Sequence, residues 1–351
     1  MFRKSISTIY YLLKMKKTNQ IIALICVLIL IITSCSKSSR FEIDTKKDRY
    51  EVKIQRFDKD LLSMDIKNTK SGVKNLTRKY PEFMNSFIEN ILDTTSTDTA
   101  AICNLFHDFL TDKTFAPVNK KAKESFIDIS DIETKVSDAY TYIHYYFPEV
   151  KLPEVYMFVS GFNRQIMMNN KFIGIGADFY LGSNFPLYKN LTYQYMMNSM
   201  NRENLAPDLV SATLFRIFLM NSLEDRLLDN MLFRGKIMYL LSVFMPEEKP
   251  QTLMGYTTEQ WQWSKKYEKQ IWTAIVDQKH LFSTDYQLIN KYMNDAPFTA
   301  PISQDSPGRM GTFIGWQIIT SYMTKNEKVS LKSLMDEENC QKILEASGYK
   351  P

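Results

Sequence analysis

Apolar and polar residues alternate from Tyr50 to Phe57 (Tyr50-Glu51-Val52-Lys53-Ile54-Gln55-Arg56-Phe57), which predicts a strand. Asp58 follows it and opens a short helix over 59–64. The period then lengthens. In 73–92 the apolar positions Leu76, Tyr80, Phe83, Phe87 and Ile91 recur at helical spacing, and 98–112 behaves alike. A third helix over 131–147 carries Ile132, Val136, Tyr140, Ile143 and Phe147 on one face, and Pro148 stops it. Period two returns at Glu154–Gly161, a second strand. Segments 164–168 and 171–177 flank Asn169-Asn170 as a hairpin. From Leu191 onward the pattern is helical almost throughout, over 191–202, 206–220, 223–245, 258–277, 284–293, 307–324 and 338–346. The expected class is α+β: a mostly helical single domain with a small antiparallel sheet.

The last long helix carries explicit start signals. Ser306 suits an N-cap and Pro307 the first helical position, where a missing N–H costs nothing. Gly311, Gly315, Ile318 or Ile319, and Tyr322 then share a face. A helical glycine costs about 1 kcal/mol relative to alanine, so this face is expected where another backbone comes close. Arg309 in the first turn opposes the helix dipole and calls for a carboxylate or an anion. An ion pair with an acid such as Asp58 would account for both residues. Other polar residues in positions that ask for a reason are Arg56 at a strand end, Asp208 after Pro207 as a helix-start cap, and Lys236 beside Gly235.

The N-terminus adds a location. A basic segment precedes the unbroken apolar run Ile21–Ile32 and Thr33-Ser34-Cys35. Crossing a bilayer takes roughly 20 apolar residues, so the run fits the core of a signal peptide. Met15 is an alternative start. Ile32-Thr33-Ser34-Cys35 resembles a bacterial lipobox, with Cys35 lipidated as the mature N-terminus. This divides the chain into a signal peptide (1–34), a lipidated polar tether (35–48) and a globular domain (49–351). Removing 1–34 takes away five basic and no acidic residues, so the formal charge falls from +5 to 0. A neutral mature chain gives no footing to nucleic-acid binding. Cys103 and Cys340 are the cysteines left in the domain, as free thiols or as a pair.

Patterns that carry chemistry are missing. The three histidines form no H-E-x-x-H. There is no cysteine set at zinc spacing, no G-x-S-x-G elbow, no phosphate loop and no dinucleotide fingerprint. No cofactor is expected.

Several short stretches together resemble the gliding-motility lipoprotein GldB family of Bacteroidetes. They are the lipobox at Cys35, Val52–Asp58, Tyr145-Tyr146-Phe147-Pro148, Phe179–Gly182 with Phe185–Lys189, Ala206-Pro207-Asp208, Gly235-Lys236 with Met238-Tyr239, and Ser306–Arg309 through Gly315-Trp316-Gln317-Ile318. The resemblance implies a cell-envelope lipoprotein held to a membrane through acyl chains such as palmitate on Cys35, associated with gliding and type IX secretion in relatives, with other envelope proteins as partners. It marks Arg56, Asp58, Asp208, Lys236, Arg309 and Trp316 as family-motif or binding candidates. It also implies a layout similar to zincin peptidases. The helix at 206–220 has neither His nor Glu at the positions a zinc site needs, so the implied scaffold lacks its metal.

The expected role is thus a non-catalytic, membrane-tethered structural or binding component, facing the periplasm because the tether lacks an acidic export-like cluster. Two alternatives stay open: a divergent metal-dependent hydrolase or peptidase, and a solute-binding lipoprotein stacking a sugar on Trp261, Trp263, Trp272 or Trp316.

Overall fold

The computed structural model describes residues 40–220 and 224–351. The signal peptide, the lipobox and Cys35 lie outside the described residues. The chain from Asp44 onward forms one compact unit. Strand β1 (Gln55–Arg56) leads into helix α1 (Phe57–Leu61), followed by α2 (Thr69–Lys79), α3 (Pro81–Asn90), α4 (Thr99–Thr111), α5 (Ala116–Ser125) and α6 (Ser130–Tyr146). Strands β2 (Glu154–Phe158), β3 (Ile166–Met168) and β4 (Phe172–Gly176) come next. After the short α7 (Tyr188–Leu191) and α8 (Gln194–Met197) the chain is helical: α9 (Arg202–Ile217), α10 (Leu227–Phe244), α11 (Pro250–Met254), α12 (Thr258–Lys266), α13 (Glu268–Asp277), α14 (Tyr286–Met293), α15 (Met310–Lys325), α16 (Leu331–Asp336) and α17 (Cys340–Ser347).

The α+β class holds. The sheet is mixed rather than antiparallel: in the order β1-β2-β4-β3, β2 is parallel to both β1 and β4, and β3 alone is antiparallel. The β1–β2 pairing is parallel because a long helical stretch, not a tight turn, separates the two strands; β2 and β4 are parallel with strand β3 between them in the chain, antiparallel to β4. The hairpin of β3 and β4 turns where expected, and the Asn169 side chain closes it by accepting the Lys171 and Phe172 N–H groups at 2.8 and 3.0 Å.

The alternating segment runs as a strand would over residues 50–56, yet only Gln55 and Arg56 join the sheet, and Phe57 already belongs to α1. Its N–H groups go elsewhere: Tyr50 to Thr141 Oγ1, Val52 to Ser137 Oγ and Ile54 to Glu133 Oε1, at 2.9 to 3.0 Å. Every second residue of an extended chain advances about 6.7 Å, and every fourth residue of a helix about 6 Å. Glu133, Ser137 and Thr141 therefore form a side-chain ladder along α6 that stands in for a strand partner. Elsewhere proline sets the boundaries. Pro81 at the first position of α3 divides the apolar pattern 73–92 into two helices. Between them and the sheet, Phe57, Phe83, Phe87 and Tyr156 build an aromatic core, with ring centroids 4.5 to 4.9 Å apart from Phe57 to Phe83 and Phe87 and from Phe83 to Tyr156.

The helical half is pinned by a backbone crossing. A Cβ placed on Gly315 of α15 would lie 1.9 Å from the Met231 carbonyl oxygen of α10, and one on Gly235 would lie 2.4 Å from the Gly315 carbonyl. Helix α15 starts at Met310, three residues later than Pro307. Arg309 takes a left-handed backbone (φ 61°), so the Ser306–Arg309 stretch is a turn rather than a first helical turn. Thr299 takes the capping role expected of Ser306, since its Oγ1 accepts the Met310 N–H at 3.2 Å. Ser306 instead accepts the Thr299 N–H at 3.0 Å and donates to the Ser303 carbonyl at 2.6 Å.

Candidate functional site

A cleft of about 510 Å³ opens between the free edge of β3, helices α9 and α10, and the turn before α15. Helix α9 lies against β4 and packs on α6 and α10. Because α9 begins at Arg202, Pro207 is inside the helix and Asp208 sits in its second turn. Asp208 is therefore not the cap its sequence position suggests, and its side chain turns into the cleft. The Tyr180 hydroxyl donates to Asp208 Oδ2 at 2.8 Å, and Gln165 Nε2 donates to the same oxygen at 3.3 Å and to the Tyr180 oxygen at 2.9 Å. Gln165 is fixed through its backbone, whose carbonyl accepts the Gly176 N–H at 2.8 Å. The loop before it is fixed by buried Asp178, which accepts the Ser160 and Phe162 N–H groups at 3.0 and 2.8 Å.

Burial pushes the Asp208 carboxyl up to about 6; the Tyr180 hydrogen bond and the Arg309 charge hold it from rising further. Arg309 contributes from the other wall. Its Nε pairs with Asp295 at 2.9 Å, an Nη donates to the Met254 carbonyl, and the guanidinium lies 5.6 Å from the Tyr256 ring centroid. Beside it, Arg234 of α10 donates to the Met293 carbonyl at 2.7 Å. Burial and the neighbouring Arg309 lower its pKa, and a guanidinium keeps its charge regardless. Thr312, buried on α15, presents a hydroxyl oxygen that has no partner among the described residues.

The edge strand supplies the remaining wall. Ile166 and Met168 line the cleft. Residues 165, 167 and 169 hydrogen-bond to β4, as the Gln165–Gly176 and Asn169–Phe172 bonds and the Met167↔Gly174 register show. Alternation then directs the N–H and C=O groups of Ile166 and Met168 away from the sheet, toward the cleft. The hairpin tip is anchored to α9 by Arg216, whose Nε donates to the Asn169 carbonyl at 2.9 Å.

Two of the six sequence-derived candidates in the described residues, Asp208 and Arg309, meet here. The others do not line the cleft. Arg56 does not reach for Arg309's partner; it grips Asp58 with two hydrogen bonds of 2.8 and 2.7 Å, so the acid proposed for Arg309 is already committed two residues away. Burial raises the Asp58 pKa against that grip. Lys236 donates to the Glu337 carbonyl at 2.6 Å beside a separate cavity. Trp316 packs on Trp261, with ring centroids 5.7 Å apart. Gln165, Asp295 and Thr312 were not legible as site residues, since nothing in their local sequence marks them. Cys103 and Cys340 are free thiols. Among the described residues no three His, Cys, Asp or Glu side chains are grouped as a metal ion requires, and no helix is long and apolar enough to cross a membrane.

The turn before α15, the α10–α15 glycine crossing and the Ala206-Pro207-Asp208 turn of α9 are among the stretches that suggested a family. The family model described as gliding motility protein GldB matches residues 38–351, the whole of the cleft included. The chain belongs to the GldB family. That membership associates it with gliding motility. No curated protein and no solved structure matches it. Within this GldB-family fold the stretches read as motifs serve two purposes. Ala206–Asp208 and Ser306–Arg309 each bring one residue, Asp208 and Arg309, to the cleft, whereas Val52–Asp58 and Gly235 with Gly315 serve the fold.

Proposed function

We propose that this chain is a membrane-anchored envelope lipoprotein that acts by binding rather than by catalysis, and that an extended polypeptide segment is what its cleft receives. The lipobox ending at Cys35 supports the anchor, and the tether composition supports a periplasmic orientation. The observation that carries the binding role is the cleft's pairing of an unused strand edge, Ile166 and Met168, with two guanidiniums, Arg234 and Arg309. An added strand would satisfy the outward N–H and C=O groups. A carboxylate on that segment would meet the guanidiniums.

The test places a photo-crosslinking residue at Met168 in the native envelope, with the more exposed Ile127, which does not line the cleft, as control. A discrete polypeptide adduct from position 168, absent from 127 and lost in Arg234→Ala or Arg309→Gly, is expected. Glycine at 309 suits the left-handed backbone, so loss of the cation is separated from strain. Identical adducts from both positions would end the cleft reading.

A hydrolytic role rests on one feature, the Asp208 carboxyl near 6, which suits a general acid or base. Turnover of a peptide library abolished by Asp208→Asn would favour that role over binding alone. The sugar-stacking alternative loses its basis in this cleft, because no tryptophan lines it.

A further inference from the structure

A second concavity, about 790 Å³, lies between α2, α3 and α4. Its floor is aliphatic: Val73 and Met84 are buried, and Ile88 and Ile102 half-buried. No aromatic side chain lines it, although aromatics make up 13% of the sequence. One rim is a ridge of cations on α2, Lys70, Lys74 and Arg78, at i, i+4 and i+8. All are exposed, and among the described residues none forms an ion pair. Nearby cations do: Lys79 pairs with Asp60 at 2.5 Å and Lys171 with Glu82 at 2.8 Å. The lining holds a single acid, Glu89. The opposite rim is the hydroxyl-rich loop Thr94-Thr95-Ser96-Thr97.

We infer that this groove is a binding site for a single-chain lipid with an anionic headgroup, independent of the cleft described above. The volume falls in the range of small-ligand sites, about 300–1,000 Å³. An aliphatic floor without rings suits an acyl chain and offers nothing to stack a sugar or a base. Three cations facing one acid select a negative headgroup, and the cation ridge spans about 12 Å along α2. The chain lies along Val73, Met84, Ile88 and Ile102 while the headgroup sits between the ridge and the hydroxyl loop.

The experiment titrates the purified full-length chain with a fluorescent fatty acid, then displaces it with lysophosphatidylglycerol, with a neutral monoacylglycerol of equal chain length, and with inorganic phosphate. Saturable binding is expected, displaced by the lysophospholipid at least about tenfold more readily than by the neutral lipid. Phosphate alone should not displace it. Reversing the ridge with Lys70→Glu, Lys74→Glu and Arg78→Glu should weaken the anionic lipids by about tenfold or more and leave the neutral lipid within about twofold. Ile88→Trp, which fills the floor, should weaken both kinds of lipid. Asn85→Trp, on the exposed rim, serves the same purpose should the floor variant fail to fold. No saturable binding, indifference to both groups of variants, or displacement by phosphate as effective as by the lipid would overturn the assignment.

Discussion

Asp208 shows how a side chain can be placed by its neighbours against its own preference. Tyr180 and Gln165 hold it 2.8 and 3.3 Å away, but the surrounding burial still raises its pKa to about 6. An unfolded aspartate titrates near 3.9, so between about pH 4 and 6 the folded chain holds the proton more tightly. Stability therefore falls as pH rises through that window and stays lower above it. Asp208→Asn keeps an acceptor for Tyr180 without the buried charge. It should stabilise the protein by about 1–2 kcal/mol at pH 7 and change little at pH 4, with the difference opening between those values. Denaturant unfolding across pH 4–7 measures this; equal destabilisation at both ends would mean that the carboxylate itself is structurally required. The residue was readable in the sequence, but its environment was not. Tyr180 and Gln165 lie 28 and 43 positions away, and no local pattern points to either. Arg309 repeats the lesson: its need for an acid was legible, but the acid is Asp295, and Asp58 is held by Arg56 instead.

Among the elements, periodicity found nearly every long helix because burial of one face is written at 3.6-residue spacing. It failed where a partner other than the expected one satisfies the backbone. The 50–57 pattern holds up to Arg56 and pairs with a strand only at Gln55 and Arg56. A helix face supplies the acceptors for Tyr50, Val52 and Ile54, and alternation alone cannot tell a strand neighbour from the Glu133-Ser137-Thr141 ladder. Sheet direction was equally hidden, since it follows from connection geometry rather than from residue type. The glycine face of α15 was legible because a helical glycine is unfavourable unless something needs the space. The structure identifies that need as the Met231 carbonyl and Gly235 of α10. With backbone on both sides, no side chain can swing away to make room. Gly315→Leu should therefore destabilise the fold by well over about 1–3 kcal/mol, the usual range for overpacking. Even Gly315→Ala should lower the melting temperature, despite alanine's better helix propensity. A melting temperature for Gly315→Ala at or above that of the parent would show that α10 and α15 part at little cost.

At the scale of the whole molecule, the proposed attachment through Cys35 can be tested apart from the fold. The compact unit begins at Asp44, and Cys35, the proposed lipidation site, lies outside the described residues. If residues 1–34 are removed as proposed, the formal charge is zero, which leaves no net positive charge to draw the chain to an anionic bilayer. In the proposed lipoprotein, membrane retention would then depend on acyl chains, each contributing about 0.8 kcal/mol per buried CH₂. Cys35→Ser should move the protein from the membrane to the soluble fraction and abolish incorporation of labelled palmitate. The unfolding transition of the released chain should coincide with that of the detergent-extracted parent. Retention of the variant in a carbonate-washed membrane pellet would overturn lipid anchoring and shift the burden to a protein partner. The cleft supplies the discriminating second arm: if Arg234→Ala then releases the retained variant, the partner holds the chain through that cleft, whereas indifference to Arg234→Ala places the contact elsewhere on the surface.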